Sequence, residues 1–494
     1  MDTKAEIGSP KNGSGDVSRR DFIVSAGLTG AGALAGLSFF FSKDPKPLPA
    51  RAGNPVKVGF IGVGSRGGAL LRTMLRVPGS TVVAVADVNS EAVDAAVSNI
   101  RDRDGAAFEV ATTDDYRELL KNKDVEAVVI ATPHFMHGPM AMDALEAGKH
   151  VYVEKAMAFT ISECVDLYME AKGRMQEQVF QVGHQRHYSK IYRKVRDEIQ
   201  SGKIGNVTAI RAQWNRNDQV ARPSPDPRME RLVNWRLYSE YSGGLMTEFA
   251  SHQIDVANMV LAMPPEPGKP RSVLFPHSVC GMGGMDYPRS KRQKGRDTSD
   301  NVHVIYTYMV PFRERKSMGN DQWAFVPTGE FYPVRFVYMS IMTNELLGPT
   351  EMIFGDEGTL EASLAGGDFW KEQKAASVAG AGDKKTAIKT GASISAVRKG
   401  IRKSDEELSI VKDRTDWSDF VGKITGEHSP QETLLALDGF LSDIRKCKAG
   451  QPYHVAANAD VGLGGAVASI LGNMAMKEGR TLFWKDYVKI PGLV

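Results

Sequence analysis

One lysine and one glutamate–histidine pair have the residue types and the spacing that acid–base chemistry needs. Lys155 follows a short apolar segment after one intervening glutamate, and Glu248 and His252 lie four positions apart in a segment with helical periodicity. That spacing predicts that the carboxylate and the imidazole share one face of a helix. An imidazole held in orientation by a carboxylate can act as a general base. Each residue alone is also typical of an exposed surface, so the prediction rests on the three together.

A glycine-rich motif predicts a nucleotide site. The segment Gly62-Val-Gly-Ser-Arg-Gly67 follows a predicted strand and opens a predicted helix, and Asp87 ends the next strand. In that context Gly62 makes the tight turn and Gly64 lets the backbone approach a pyrophosphate, while Gly67 lets the helix pack closely on the strand. The helix N-terminus supplies N–H donors to the phosphates.

The acidic residue after the second strand bears on which nucleotide is bound. A carboxylate at Asp87 would hydrogen-bond the adenosine ribose hydroxyls and repel a 2′-phosphate, which favours NAD over NADP. The nearby Arg66 would weaken that preference. Further contacts are expected at the carboxyl ends of strands, where nucleotides lie in open α/β sheets. The residues predicted to contact the cofactor are Gly62, Gly64, Ser65, Arg66, Gly67, Asp87, Thr132, Pro133, His137 and Glu154.

The elements that must hold these residues alternate between strand and helix in the first part of the chain. From Val56 to Val182, short apolar segments predict buried strands with helical patterns between them, which is typical of a parallel, doubly wound Rossmann sheet. After Gly183 the alternation stops, and four segments predict a mostly antiparallel sheet with one open face. These segments are Val207–Trp214, Val302–Val310, Tyr332–Thr343 and Glu351–Phe354. The predicted fold class is α/β, with a C-terminal α+β domain.

A chain of 494 residues is too long for one hydrophobic core, so at least two domains are expected. We predict a signal and linker over residues 1–52, a nucleotide-binding domain over 53–183 and an α+β domain for substrate binding and oligomerisation over 184–370. A stretch rich in Ala, Gly, Ser and Lys over 371–415 is predicted to be a flexible insertion. Helical patterns in 416–494 are expected to complete the second domain.

The overall composition excludes several classes of function. The chain has 42% hydrophobic and 24% charged residues, which is typical of a globular protein, and a net charge of only +3. A charge so near zero gives no electrostatic basis for binding nucleic acid. The three cysteines, Cys164, Cys280 and Cys447, are scattered and show neither metal-ligand spacing nor a disulfide framework. No metal site is therefore predicted.

The N-terminal segment resembles a twin-arginine export signal. Paired arginines in Ser18-Arg-Arg-Asp-Phe-Ile-Val24 precede an uncharged run from Ser25 to Ser42 and a small-residue site, Ala50-Arg51-Ala52. Such signals direct folded proteins to the twin-arginine translocase, so we expect a periplasmic protein that acquires its nucleotide before export. The alternative is an uncleaved segment that tethers the protein to the membrane, since the apolar run is about long enough to span it.

Together these motifs resemble the glucose–fructose oxidoreductase, inositol dehydrogenase and MocA (Gfo/Idh/MocA) family, from about Val56 to the C-terminus. The resemblance implies that Lys155 hydrogen-bonds a reacting sugar hydroxyl, that His252 takes its proton and that Glu248 orients the site, while a hydride passes to the nicotinamide. It also implies a homo-oligomer that forms through the open sheet. The residues that carry the resemblance are the glycine fingerprint, Ala131-Thr-Pro133, Glu154-Lys155, Gly243-Gly244, Glu248, His252 and Gly479-Arg480-x-x-x-Trp484.

Two residues depart from the family pattern. Ala156 stands where the motif usually has proline, which would change the geometry after Lys155 without removing the lysine. Glu248 stands where many relatives have Asp, and its longer side chain would shift its pairing with His252. Neither departure removes the chemistry that the resemblance implies.

Six residues on either side of the expected crevice are candidates for substrate contact. Three follow the last Rossmann strand and three precede the Gly-Gly turn. Their side chains suit stacking on a sugar face and bonding to its hydroxyls, and packing between domains is an equally good explanation for each. The candidates are Gln185, Arg186, Tyr188, Asn234, Trp235 and Arg236.

Three functions remain open at this point. The first is an exported NAD(P)-dependent oxidoreductase acting on a sugar, polyol or glycoside hydroxyl, whose nucleotide stays tightly bound because free NAD is scarce outside the cytoplasm. The second is a glycoside hydrolase or lyase that oxidises a sugar transiently and returns the hydride. The exported glycosidases of the family lack the lysine that this chain keeps at Lys155. The third is a non-catalytic sugar-binding protein, which the combination of Lys155, Glu248 and His252 disfavours.

Overall fold

A computed structural model describes residues 54–217, 222, 224, 230–263, 273–291, 295–319, 322–363, 366–372 and 430–490. The predictions for the signal and linker, and for almost all of the insertion over 371–415, lie outside these residues. The described chain contains two sheets, of which the first is parallel and the second is mostly antiparallel.

The first sheet confirms the predicted doubly wound arrangement. Its strands are β1 Val56–Ile61, β2 Ser80–Ala86, β3 Ala111–Thr113, β4 Ala127–Ile130, β5 His150–Val153 and β6 Phe180–Val182. They are parallel and lie in the order β3-β2-β1-β4-β5-β6. The central strands are short, apolar and buried, as expected where helices cover both faces. Strand β3 was not predicted, because its Ala-Thr-Thr sequence is largely exposed.

Five helices follow strands of this sheet. They are α1 Ser65–Met74, α2 Ser90–Asp104, α3 Tyr116–Lys121, α4 His137–Glu146 and α5 Ile161–Gly173. Helix α2 is capped by Asn89, whose side chain accepts the Glu91 N–H at 3.0 Å. Helix α5 begins with a capping box, in which Thr160 and Glu163 each accept the other's backbone N–H. Both helix starts are thus set by local sequence.

The second sheet has eight strands in the described chain and confirms the predicted, mostly antiparallel arrangement. They are β7 Val207–Trp214, β8 Ser278–Gly284, β9 Asn301–Gly319, β10 Gln322–Ile341, β11 Pro349–Gly355, β12 Gly358–Ser363, β13 Gly366–Lys371 and β14 Leu482–Phe483. Their order is β13-β12-β11-β7-β10-β9-β8-β14, with β7 and β10 paired in parallel. Strands β9 and β10 are much longer than predicted, because their hairpin continues past Val310 through exposed polar residues.

The remaining α-helices of the described chain follow the first sheet in the sequence. They are α6 Lys190–Gln200, α7 Glu230–Val233, α8 Ser251–Leu261, α9 Pro288–Lys291, α10 Pro430–Lys448, α11 Ala459–Glu478 and α12 Trp484–Tyr487. A π turn, Met246–Ala250, directly precedes α8. Helix α11 is long and apolar enough to span a membrane by composition, but 72% of that stretch is buried inside the protein. It packs against α5, α8 and β8, so it is a core helix.

Helix α10 packs on the Rossmann sheet, although the segment 416–494 was expected to complete the second domain. The Phe440 ring lies 5.9 Å from the ring of Tyr152 in β5, and Arg445 Nη2 donates to the Gly79 carbonyl oxygen at 2.6 Å. The sequence shows an apolar helix face here but not which sheet it covers. The α10 residues buried with strands β1, β2, β4 and β5 are Leu434, Leu437, Phe440, Leu441 and Ile444.

Candidate active site

The glycine fingerprint has the backbone geometry that a dinucleotide site requires. Gly62 has a φ of +83°, in the left-handed region, and a Cβ there would lie 2.9 Å from the Ala131 backbone. A Cβ on Gly67 would lie 1.9 Å from the Gly62 carbonyl oxygen, so glycine alone fits. A Cβ on Gly64 would meet no described atom within 4 Å, and α1 begins at the next residue. The space beside Gly64 therefore fits a pyrophosphate group.

The Asp87 carboxylate lies beside the same loop. Its Oδ2 accepts the Val63 N–H at 2.7 Å, and its Oδ1 accepts the Asn89 N–H at 2.9 Å. Each oxygen keeps a second lone pair and the side chain is half-buried, so it can also accept hydrogen bonds from ribose hydroxyls. Thr132 Oγ1, after the end of β4, is buried without a hydrogen-bond partner among the described residues. It offers a ligand a further polar contact, next to Pro133.

An ion pair joins the fingerprint to the end of β5. Arg66, in the first turn of α1, contacts Glu154 Oε1 through Nε and Nη2, each at 2.9 Å. The Glu154 side chain is buried, whereas about a third of Arg66 is exposed. Arg66 is therefore held by Glu154 rather than by Asp87, and the neighbouring Ser65 is exposed.

His137 connects the end of β4 to the segment that follows Lys155. Its Nδ1 lies 2.8 Å from the Ala156 carbonyl oxygen, and its Nε2 lies 3.0 Å from the Thr132 carbonyl oxygen. Burial lowers the pKa of His137, and a neutral imidazole donates one hydrogen bond, so one of these contacts is a donor bond and the other a polar contact. His137 thus supports the two loops that carry Thr132 and Lys155.

Lys155 reaches from the end of β5 to the π turn Met246–Ala250. Its Nζ donates to the Glu248 carbonyl oxygen at 2.7 Å and to the Thr247 carbonyl oxygen at 3.3 Å. Burial lowers the pKa of Lys155, while the carboxylates of Glu248 and Glu154 oppose this change. An ammonium group has three N–H donors, so one remains for a substrate oxygen.

Within the described residues, Glu248 and His252 form no hydrogen bond with each other, contrary to the expectation from their spacing. The π turn widens the helix at Glu248, so the i and i+4 side chains are no longer aligned. Glu248 Oε2 instead accepts a hydrogen bond from Arg236 Nε at 2.9 Å. Burial raises the pKa of Glu248, but Arg236 and Lys155 outweigh it and hold this pKa below its usual value. Glu248 is thus a carboxylate that offsets two cations.

His252 is a buried imidazole beside Trp214, whose ring centroid is 5.5 Å away. Burial, followed by the positive charges of Lys155 and Arg186, lowers the pKa of His252 well below its usual value. The ring is therefore neutral at pH 7, and one nitrogen has a lone pair that can accept a proton. Arg186 Nη1 donates to the His252 carbonyl oxygen at 3.2 Å and fixes the backbone at this point.

Of the three candidates that follow the last Rossmann strand, Arg186 is buried, and Gln185 and Tyr188 are half-buried. Arg186 Nη1 donates to Glu351 Oε1 at 2.5 Å, and Tyr192 Oη donates to Glu351 Oε2 at 2.9 Å. Tyr188 packs against α10. The Gln185 Oε1 and Tyr188 Oη atoms are buried without partners among the described residues. This placement favours the packing role that the sequence left open over direct contact with a substrate.

The three candidates that precede the Gly-Gly turn have different surroundings. Asn234 is buried, accepts the Arg222 N–H at 2.7 Å and donates to the Arg222 carbonyl oxygen at 2.9 Å, which closes a loop. Arg236 lies 4.1 Å from the centre of the Trp235 ring, and 44% of its side chain is exposed. Of the six candidates, Arg236 is the one whose side chain bonds a predicted catalytic side chain, that of Glu248.

Sequence reasoning missed two features beside His252. Trp214, at the end of β7, packs against the imidazole. On α8, Asp255 Oδ1 lies 2.8 Å from His187 Nε2, and Asp255 Oδ2 lies 3.5 Å from His184 Nδ1. Asp255 is three residues after His252, so the helical spacing could have indicated the second feature. No pattern in the sequence links Trp214 to His252.

Two family models match this chain. The one described as "Oxidoreductase family, NAD-binding Rossmann fold" matches residues 56–184. The one described as "GFO/IDH/MocA C-terminal domain" matches residues 192–309. Between them, the two matched ranges include the glycine fingerprint, Lys155, the π turn and His252.

The curated relatives that match in sequence include glycosyl hydrolase family 109 proteins. The protein of Shewanella sp. (strain W3-18-1) is 35% identical over 163 residues, which is 30% of this chain and 36% of that protein. The protein of Shewanella baltica (strain OS185) is 36% identical over 163 residues, with the same shares covered. The match therefore spans about a third of the length of these relatives.

Solved structures share the fold at low sequence identity. The scyllo-inositol dehydrogenase of Lactobacillus casei with bound NAD(H) and scyllo-inositol has a TM-score of 0.55 at 17% identity, over 87% of this chain and 100% of that chain. A levoglucosan dehydrogenase in complex with NADH and levoglucosan has a TM-score of 0.56 at 18% identity, over 87% of this chain and 99% of that chain. At these identities the likeness establishes the fold.

The open space beside Gly64 allows a test of the nucleotide site. Gly64 has a φ of −62°, which alanine adopts readily, so Gly64→Ala should leave the melting temperature unchanged. Its methyl group would occupy the space that a pyrophosphate needs, so we expect calorimetric titration of nucleotide-free protein to show NAD affinity lowered about tenfold or more. Gly173→Ala, at an exposed position at the end of α5, is the control. Equal NAD affinity in the two variants would contradict the assigned site.

Proposed function

Because the chain belongs to the Gfo/Idh/MocA oxidoreductase family, we propose that it oxidises or reduces a hydroxyl-bearing carbon of a sugar, polyol or glycoside with a nicotinamide nucleotide. The observation that carries the proposal is the contact of Lys155 with the π turn that precedes His252. This contact brings an ammonium donor and a neutral imidazole to the carboxyl edge of the parallel sheet. Nucleotides lie at that edge in open α/β folds.

The chain's own residues would bind the substrate and move its proton. The fingerprint loop and Asp87 would hold the nucleotide, which when bound accepts or returns a hydride at its nicotinamide ring. The remaining N–H of Lys155 Nζ donates to the reacting substrate oxygen and stabilises it as its proton leaves. A ring nitrogen of His252 accepts that proton, because burial keeps the imidazole neutral. The same burial limits the access of water to the proton.

Glu248 balances the charge of this arrangement. Arg236 bonds the Glu248 carboxylate, Lys155 bonds the Glu248 carbonyl oxygen, and the charge of the carboxylate opposes the loss of the proton from Lys155. A protonated Lys155 is needed as a donor, and its charge also keeps His252 neutral. Glu248 therefore acts on His252 through Lys155 and not by a direct hydrogen bond.

NAD is the proposed nucleotide in preference to NADP. The Asp87 carboxylate lies at the fingerprint loop, where it would accept ribose hydroxyls and repel a 2′-phosphate. The cation that could have neutralised it, Arg66, is bonded to Glu154. Both observations support a preference for the nucleotide without the extra phosphate.

We further propose that the nucleotide is tightly bound and is loaded before export. The twin-arginine pattern around Arg19 and Arg20 is the basis for a periplasmic location and for the translocase as a partner, and an uncleaved signal would leave the protein tethered. A nucleotide that dissociated after each turnover would be lost outside the cytoplasm. Its reoxidation in place, by a second sugar for example, would avoid that loss.

The open face of the second sheet supports a homo-oligomer. Ile305 of β9 and Val337 of β10 are paired across the two strands, and Met309 lies on the same face. About 40% of each of these three side chains is exposed. Apolar side chains clustered on one exposed sheet face are typical of a surface that another subunit covers.

A second candidate function is nucleotide-dependent glycoside hydrolysis. It is favoured by the 35% identity with glycosyl hydrolase family 109 proteins over 163 residues. The cycle is redox-neutral, because the hydride returns to the same sugar, and this also suits an exported enzyme. Release of nitrophenol from a panel of nitrophenyl glycosides without added NAD would favour hydrolysis over net oxidation, whereas no release with any glycoside would argue against it.

The proton-transfer assignment predicts the effect of two substitutions. Lys155→Ala and His252→Ala should each slow reduction of the bound nucleotide roughly 10²–10⁴-fold, because a donor or a base is lost, while nucleotide content stays unchanged. The measurement is absorbance at 340 nm after mixing nucleotide-loaded protein with scyllo-inositol, myo-inositol, levoglucosan or glucose. Lys316→Ala and His277→Ala, both at exposed positions, are the controls. Parent-like rates in either site variant would refute its assigned role.

Retention of the nucleotide through export predicts a periplasmic holoprotein. Protein released from bacterial cells by osmotic shock should carry NAD, detected by absorbance and mass spectrometry after purification. A variant with Arg19→Lys and Arg20→Lys should remain in the cytoplasm and carry the same nucleotide. Periplasmic protein without nucleotide would disprove retention, and unimpaired export of the double variant would disprove the twin-arginine assignment.

The proposed oligomer predicts a mass that is a multiple of the protomer. Light scattering on the purified protein should give this multiple, and a variant with Ile305→Lys and Val337→Glu should dissociate, because charges would enter the apolar face. The exposed Trp323→Lys, at a different part of the β9–β10 hairpin, is the control. A monomeric parent protein would contradict the proposal.

A further inference from the structure

Trp214 and Phe249 form an aromatic corner beside the proposed catalytic side chains. The Trp214 ring centroid lies 5.2 Å from that of Phe249 and 5.5 Å from that of His252. Phe249 directly follows Glu248, whose carbonyl oxygen binds Lys155. The aromatic corner therefore adjoins both the proposed base and the proposed donor.

The indole of Trp214 is carried on a fixed backbone. Ser340 Oγ donates to the Trp214 carbonyl oxygen at 2.5 Å, and Trp214 pairs with Pro349 of β11 at the end of the sheet ladder. The guanidinium of Arg216 lies 4.7 Å from the centre of the Phe249 ring and braces the other side of the corner. The Trp214 side chain nevertheless remains half-buried rather than covered. A rigid aromatic surface is therefore presented next to His252.

A sugar or polyol ring needs such a surface as well as hydrogen-bond partners. Lys155, Glu248 and Arg236 can bond hydroxyl groups, but the C–H faces of the ring are apolar. A hydroxyl bonded to a His252 nitrogen at about 3 Å places the ring carbons within reach of an indole centred 5.5 Å from the imidazole. Aromatic faces stabilise such apolar groups by contact and by excluding water.

We propose that Trp214 is a specificity-determining residue that stacks on the C–H face of the substrate ring. The proposal rests on the function proposed above, since it takes the substrate to be a sugar or polyol whose hydroxyl reaches His252. The proposal also restricts the class of substrate, because stacking favours rings with a continuous C–H face over open-chain polyols of the same size.

A purely structural role for Trp214 would have a different kinetic signature. An indole that only held His252 in orientation would, when removed, lower the limiting rate and shift its pH dependence. An indole that contacts the substrate ring equally in the ground and transition states would, when removed, raise the half-saturating concentration and leave the limiting rate nearly unchanged. The two roles are therefore separable by experiment.

The test compares the nucleotide-loaded parent with Trp214→Leu, Trp214→Phe and the control Trp323→Leu, whose side chain is 67% exposed on β10. Reduction of the bound nucleotide is followed at 340 nm against the concentration of scyllo-inositol, myo-inositol, levoglucosan, glucose and the open-chain sorbitol. We expect Trp214→Leu to raise the half-saturating concentration of a ring substrate about tenfold, with the limiting rate within about threefold of the parent. Trp214→Phe keeps an aromatic face and should lie close to the parent.

The outcomes distinguish this proposal from the function on which it rests. An unchanged half-saturating concentration in Trp214→Leu, or a lower limiting rate with a shifted pH profile, would overturn the stacking role. If Trp214→Leu does not fold, as judged by its nucleotide content and melting temperature, tryptophan fluorescence is measured instead. Substrate should quench the fluorescence of the parent protein but not that of Trp214→Phe. Equal quenching of the two proteins would overturn the proposal. If the parent reduces its nucleotide with no sugar or polyol of the panel, the proposed function fails and the stacking role falls with it.

Discussion

The contact between Lys155 and the π turn is the interaction on which the rest of the site depends. An ammonium group is costly to bury alone, and the carbonyl oxygens of Thr247 and Glu248 take the place of water around it. A π turn departs from the regular i→i−4 pattern, which lets these carbonyls turn towards a side chain outside the helix. One contact thus ties the end of β5 to the turn that precedes α8, and it places a positive charge that adds to burial in lowering the pKa of His252.

Buried polar groups brace the other side of helix α8. Glu351 accepts hydrogen bonds from Arg186 and Tyr192, and Asp255 lies against His187. Buried pairs of this kind contribute little net stability, because desolvation offsets their attraction, but removal of one partner costs about 3–5 kcal/mol. Other orientations of α8 would leave such groups unpaired. The network therefore selects a single placement for His252 on that helix.

The parts of the site that could be predicted from sequence are those that local backbone geometry dictates. The fingerprint glycines are of this kind, because each position either excludes a Cβ or must leave space open. The strand–helix alternation that holds these glycines is also of this kind. The Glu248–His252 pair was not predicted correctly, since the i,i+4 rule assumes a regular helix and the π turn is stabilised by Lys155. The position of Trp214 beside His252 and the packing of helix α10 on the first sheet were missed for a related reason. Their partners, His252 and Tyr152, are distant in the chain and share no periodicity with them.

Helix α10 makes the nucleotide-binding domain discontinuous in the chain. Strand β1 begins at Val56, yet the helix that covers one face of its sheet ends at Lys448, with the whole second sheet apart from β14 encoded in between. The ribosome must therefore synthesise most of the chain before this face can be buried, and closing so long a loop slows folding. For the export proposed above, the topology would place the burial of this sheet face after synthesis of α10 and before transport of the folded protein.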